Sequence, residues 1–154
     1  MAAMKTRETV LMLEDNPVIG NLLALTLEHR GCRVLRASNG QQAIELARAY
    51  RSEISLALCE IVLQGEPGAP VAAAIREICP KVKILFISGL PIHVLCERSL
   101  LTPEDLKEGP AFYLKQPLLP KDLMGVVERI LAAGLAARAV SAPRRSIQNA
   151  MSGY

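Results

Sequence analysis

The chain has 154 residues, enough to bury one substantial core without disulfides or metal staples, so one domain plus a tail is the default organisation. Hydrophobic residues make up 51% and charged residues 21%, and the apolar runs are strand-sized, well short of a membrane span; this predicts a soluble globular protein that does not act in a membrane. The formal charge of +3 owes much to Arg138, Arg144 and Arg145, and aromatics are only 3% with none among those arginines, which argues against nucleic-acid binding. No apolar signal core precedes the first strand-like run, and a cytoplasmic location is expected. Cys32, Cys59, Cys79 and Cys96 stand singly, without a C-x-x-C pair, and read as mostly buried thiols rather than a metal or redox site.

In chain order, residues 1–8 form an extension, and Thr9-Val10-Leu11-Met12-Leu13 reads as a buried strand that stops at Glu14-Asp15-Asn16-Pro17. A helix follows, with Asn16 as N-cap, Pro17 in the first turn and Gly31 as the stop. Ile19, Leu23 and Leu27 mark its core stripe, which Val18, Leu22 and Leu25 are expected to widen. Residues 32–37 alternate as an edge strand, Ser38-Asn39-Gly40 is a turn, and residues 41–50 form a second amphipathic helix. Residues 54–60 are apolar on both alternating faces, as a central strand covered on both sides should be. Residues 71–79 form a third helix closed by Pro80, and residues 83–87 a fourth strand ending at Ser88-Gly89. Residues 90–108 are irregular: Pro91 and then Thr102-Pro103-Glu104-Asp105, which looks like a fresh helix start, predict a broken or doubled helix. Residues 111–114 are a fifth strand, Lys115-Gln116-Pro117 its loop, and Leu123, Val126, Val127, Ile130 and Leu131 the stripe of a last helix. The domain therefore spans 9–132, and residues 133–154 are helix end and flexible tail.

Strands alternating with helices predict an α/β fold, a doubly wound five-stranded parallel sheet with right-handed crossovers. In the flavodoxin-like order 2-1-3-4-5 the first and third strands are neighbours, so Glu14, Asp15 and Glu60 converge at the carboxyl ends of the strands. Ser88 and the Gln116 loop border the same crevice. Two acids after the first strand would repel phosphate, which speaks against a flavin or nucleotide binder with a glycine-rich loop there.

The acidic pair, the Ala37-Ser38-Asn39-Gly40 turn, the acid ending the third strand with Gly68 eight residues on, Ser88, and Tyr113-Leu114 followed after two residues by Pro117 together resemble a response-regulator receiver domain of two-component signalling. The resemblance covers about Thr9 to Leu131. It implies a phosphoacceptor at the end of the third strand, Mg²⁺ held by that residue and the acidic pair, a hydroxyl and a lysine contacting the phosphoryl group, and an aromatic switch. These map to Glu60 as acceptor, Glu14, Asp15 and Glu60 as metal ligands, Ser88 as hydroxyl, Tyr113 as aromatic and Gln116 at the lysine position, with Lys115 one residue before it. A cis Gln116-Pro117 bond is also expected from the resemblance. Two chemical parts differ from the family pattern: a glutamate replaces the aspartate, and a glutamine replaces the lysine.

Glu60 reaches more than an ångström further than aspartate would, into space where a phosphoryl group or metal would sit, and Gln116 brings no positive charge. Without a lysine, either a divalent cation holds the three acids or one of them takes up a proton and its pKa rises. The expected function is a stand-alone, non-enzymatic receiver-like signalling protein of a phosphorelay, atypical in phosphorylation. It would act by docking to a histidine kinase, a phosphorelay protein or a downstream signalling protein through its fourth-helix, fifth-strand and fifth-helix face. The alternative is a phosphorylation-independent interaction module in which Glu60 supplies a fixed negative charge that biases Ser88 and Tyr113.

Overall fold

The computed structural model describes residues 7–107 and 111–139. In chain order its elements are β1 (Thr9–Leu13), α1 (Pro17–His29), β2 (Arg33–Ala37), α2 (Gly40–Ala49), β3 (Ile54–Glu60), β4 (Val62–Leu63) and β5 (Glu66–Pro67). They continue with α3 (Gly68–Ile78), β6 (Lys83–Ser88), α4 (Ile92–Glu97), α5 (Pro103–Lys107), β7 (Ala111–Lys115) and α6 (Pro120–Ala139). The main sheet has five parallel strands in the order β2-β1-β3-β6-β7, the flavodoxin-like arrangement expected. The broken helix after the fourth sheet strand is also present, as α4 and α5. Just before β1, the Glu8 carbonyl accepts from Arg33 N at 2.8 Å and its carboxylate from the Ser55 hydroxyl. Residues 1–6, Glu108 and 140–154, to which the expected extension, irregular stretch and tail extend, lie outside the described residues.

The central strand explains the layering. Ala57 and Cys59 of β3 face a core shared with Ala43 and Ala47 of α2 and with Ala72 and Ile75 of α3. Leu56 and Leu58 face the other way, onto Leu23 and Leu27 of α1 and Leu123 and Val127 of α6. A strand buried on both faces has no polar alternation to keep, which is why its residues are apolar throughout. Cys32, Cys59 and Cys79 are buried in or beside these cores and Cys96 is exposed; burial pushes the Cys59 thiol up to about 12, so it is an inert packing group.

Helix starts and stops follow the local chemistry. Asn16 Oδ1 accepts from Val18 N at 2.9 Å and Ile19 N at 3.1 Å, and Gly31 takes φ +89° beyond the end of α1. The face of α1 that meets the sheet is Gly20, Leu23, Ala24 and Leu27. Val18, Leu22 and Leu25 do not widen that stripe: they are 75%, 51% and 65% exposed, because at about 100° per residue they lie round the far side of the helix. The helix therefore carries an apolar face on each side.

Helix α3 starts three residues before the expected position, at Gly68. Its first turn runs directly under the end of β3: Gly68 N donates to Ile61 O at 2.8 Å, and a Cβ at Gly68 would stand 1.9 Å from the Glu60 carbonyl oxygen. Only glycine lets the helix approach the acceptor strand this closely. Gly68→Ala should therefore force backbone apart from backbone and cost at least about 1–3 kcal/mol. Urea unfolding measures it; a loss below about 0.5 kcal/mol would contradict the close approach.

Candidate functional site

The parallel register carries the ends of four strands to one edge. Leu13 of β1 pairs with Cys59 of β3, Glu60 with Ile87 of β6, and Ser88 with Lys115 of β7. The residues just past those positions, Glu14, Asp15 and Gln116, thus gather beside Glu60. Gln116 N donates to Ser88 O at 2.7 Å, fixing the last loop to the edge, and the Gln116-Pro117 bond is cis as expected.

Glu60 and Glu14 are both buried, 5% and 6% exposed, and each accepts a hydrogen bond from a backbone amide. Burial raises the Glu60 pKa to about 8, helped by the charge of Glu14, by Asp15 and by a hydrogen bond shared with the Glu14 carboxyl, and opposed by the Val62 N–H. That N–H reaches Glu60 Oε1 at 3.3 Å. Burial also raises Glu14, whose Oε2 accepts from Asn16 N at 3.2 Å, while Asp15 raises it further and the Gln116 side-chain amide pulls the other way. Glu14 Oε1 is fully buried and accepts no other hydrogen bond of ordinary geometry. A proton on Glu60 resolves both problems, since it removes one buried charge and gives Glu14 Oε1 a donor. Burial and the neighbouring acids thus favour the protonated form of Glu60, the direction of the proton-uptake branch of the sequence expectation.

The hydroxyl and the aromatic both bond the backbone of Leu90. Ser88 Oγ accepts from Leu90 N at 3.1 Å, and the Tyr113 hydroxyl donates to Leu90 O. Both residues are buried, so Tyr113 is an inward-facing core aromatic, and the Leu90 peptide is held at both its polar ends just before α4 begins. Gln116 is at the acidic crevice, against Glu14. Lys115 closes β7 on the same strand face as Tyr113, since the two are two residues apart. His29 and His93 are exposed and away from the acids.

Sequence reasoning missed the short hairpin β4–β5 that follows Glu60. Its turn is Gln64-Gly65, with Gly65 at φ +84°, and Gln64 N donates to Asp15 Oδ2 at 2.6 Å. On the far side of the turn Glu66 Oε1 accepts from Gly40 N at 2.6 Å, at the start of α2. A glycine in the second place of a two-residue turn between Val62-Leu63 and Glu66-Pro67 was the available signal. The hairpin is fastened across the crevice by these two bonds.

These contacts bear on a cation. Asp15 Oδ2 and Glu60 Oε1 are turned to loop amides, and among the described residues no group of three or more His, Cys, Asp or Glu is arranged to hold a metal ion. As arranged, Glu14, Asp15 and Glu60 do not fit Mg²⁺, which demands several oxygens in near-ideal octahedral geometry.

A family model described as the response regulator receiver domain matches residues 10–97. The chain is 31% identical over 124 residues to the response regulator receiver protein CpdR of Brucella abortus (strain 2308), covering 80% of this chain and 97% of that protein. It is 28% identical over 123 residues to the sensor kinase CckA of the same organism, again over 80% of this chain but only 12% of the kinase. Among solved structures, a CheY-like receiver domain protein from Methanospirillum hungatei JF-1 superposes with a TM-score of 0.70 at 22% identity, over 85% of this chain and 98% of that one.

A raised Glu60 has a consequence for stability. Between the ordinary carboxyl value of 4.5 and about 8, the folded protein keeps a proton that the unfolded chain has released. Stability is therefore complete below the ordinary value and falls as pH rises towards 8, by up to about 1.4 kcal/mol per pH unit from this group alone. Denaturant unfolding across that window should show the fall, and Glu60→Gln, neutral throughout, should flatten much of it and be the more stable form at the alkaline end. Equal slopes for the two proteins would contradict the buried, protonated acid.

Proposed function

We propose, given that this chain belongs to the response regulator receiver family of two-component signalling, that it works as a receiver that signals without holding a phosphoryl group. The observation that carries the reading is the state of the acceptor position: a buried glutamate, mainly protonated, beside a second buried glutamate and with glutamine where the family places lysine. Attack on a phosphoryl group needs a carboxylate, its placement in line with the leaving group, and positive charge to offset the oxygens. A protonated side chain one methylene too long, with Gln116 beside it, supplies none of the three. Receiver domains typically bind Mg²⁺ at this site, but here one oxygen each of Asp15 and Glu60 is turned to the Gln64 and Val62 amides.

The signalling output is docking to a protein. Receiver domains interact with histidine kinases and phosphorelay proteins, and a partner of that class, or a downstream signalling protein, is the one proposed. Ser88 and Tyr113 both hold the Leu90 peptide, so a shift of either moves the start of α4, and the face of α4, β7 and α6 is the surface through which such a shift would reach a partner. The match to almost the whole length of CpdR supports action without an attached output module. The proposed place of work is the cytoplasm, with no catalytic activity of its own; no described helix is long and apolar enough to cross a membrane.

Incubation with acetyl phosphate and Mg²⁺ at neutral pH, followed by intact-mass measurement, tests the proposal. The native chain should stay unmodified. The double variant Glu60→Asp, Gln116→Lys, which returns both the short carboxylate and the cation, should acquire a phosphoryl adduct. An adduct on the native chain that maps to Glu60 would overturn the reading.

A further inference from the structure

The acidic crevice has a further charged neighbour, and it comes from the edge strand. Arg36 of β2 pairs in register with Met12 of β1, so its side chain and that of Glu14, two residues beyond Met12, rise from the same face of the sheet. Over that face passes α1, with Gly20 among its buried residues. A Cβ at Gly20 would stand 2.7 Å from Arg36 Nη2, 3.7 Å from Arg36 Cζ and 3.8 Å from Glu14 Cγ. Glycine thus makes a notch in which the guanidinium lies beside the Glu14 side chain. The next residue of the helix fixes it there, for Arg36 Nη1 donates to Asn21 Oδ1 at 2.7 Å.

We infer that Arg36 is a guard residue of the crevice, a tethered cation that stands on the Glu14 side and keeps divalent metal ions out; this rests on the proposed function without a phosphoryl group. Loop amides take one oxygen each of Glu14, Asp15 and Glu60. That spoils octahedral geometry, but the field of the acids still draws free cations. Charge has to be countered by charge, and Gln116 at the lysine position brings none. The guanidinium does so permanently, because arginine stays protonated throughout the working range of pH. A free ion competes with a group that its tether holds at a local concentration on the order of millimolar. An ion bound beside Glu14 would also meet the guanidinium charge at close range.

Burial agrees with a guard. Arg36 is exposed whereas Glu14 beside it is buried, so the arginine is the outer of the two on this side of the crevice. The other arginine of β2 does different work. Arg33 lies three residues back, on the opposite face of the strand, where it is bridged to Glu53 at 3.5 Å and lies 4.7 Å from the centre of the Tyr50 ring. It carries the same charge on the same strand away from the acids, which makes it the natural control.

Mn²⁺ binding to the full chain at neutral pH and low salt, read by the enhanced relaxation of water protons, tests the guard. The native chain should bind weakly. Arg36→Met, which keeps the bulk and removes the charge, should bind about tenfold more tightly, and Arg36→Lys, which keeps the charge, should stay near the native value. Asp15→Asn in the Arg36→Met background should abolish the gain and so place the ion in the crevice. Arg33→Met should change the affinity by less than about twofold. Both arginines lie outside the core, so the melting temperatures should match. Equal binding by the native chain and Arg36→Met, an equal gain in Arg33→Met, or tight binding by the native chain would each overturn the inference. A native chain that stays unmodified by acetyl phosphate while Arg36→Met gains nothing overturns the guard alone. A phosphoryl adduct on a native chain that still excludes Mn²⁺ overturns the proposed function alone.

Discussion

Two buried carboxyl groups side by side are the constraint that the rest of the site satisfies. Glu14 and Glu60 arrive side by side because β1 and β3 are neighbours that end in register, and neither can leave without breaking the sheet. Charging both in that environment would cost several kcal/mol. The structure meets the cost in parts: a proton stays on Glu60, backbone amides of Asn16 and Val62 serve one oxygen each, and the Gln116 amide lies against Glu14. Asp15, nearer solvent, is served by the Gln64 amide. Where a receiver would ordinarily leave carboxylate oxygens to metal and phosphoryl chemistry, this one turns them to its own backbone.

The loop geometry follows from the same need. The β4–β5 hairpin is held over the crevice by Asp15 at one end and by the Glu66 contact with α2 at the other, and α3 begins immediately beneath, where Gly68 lets its first turn touch the Glu60 carbonyl. Across the edge, Ser88 and Tyr113 grip the two ends of the Leu90 peptide and so join the hydroxyl and aromatic positions to the start of α4. Acceptor and switch are therefore two separate hydrogen-bonded units in this state. A protonated Glu60 exerts little pull on Ser88, which is why a docking role independent of phosphoryl transfer fits the arrangement better than a fixed charge does.

Much of this was legible in the residues. Strands buried on both faces announce themselves as continuous apolar runs, and Ile54–Glu60 is bounded as its composition suggests. The convergence of three acids followed from strand order, and a glutamine at the lysine position left a cation or a proton as the remedies, of which burial of Glu60 favours the proton. Other features were hidden for physical reasons. Gly68 and Pro70 look like helix breakers, but glycine is needed for the contact with β3 and proline suits a first turn, so α3 starts earlier than its apolar pattern. Periodicity along α1 shows two apolar faces but cannot say which meets the sheet, and Val18, Leu22 and Leu25 fell on the outer one. The Leu90 clamp depends on backbone atoms, which carry no side-chain signature.

The account turns on the proton at Glu60, and its titration can be followed directly. With glutamate side-chain carboxyls labelled with ¹³C and the Glu60 resonance assigned by comparison with Glu60→Gln, the chemical shift should turn near pH 8, with the protonated form dominant at neutral pH. A midpoint in the ordinary carboxylate range near 4.5 would mean that Glu60 is charged in the folded protein, and would contradict the neutral, self-satisfied site on which the proposed function rests.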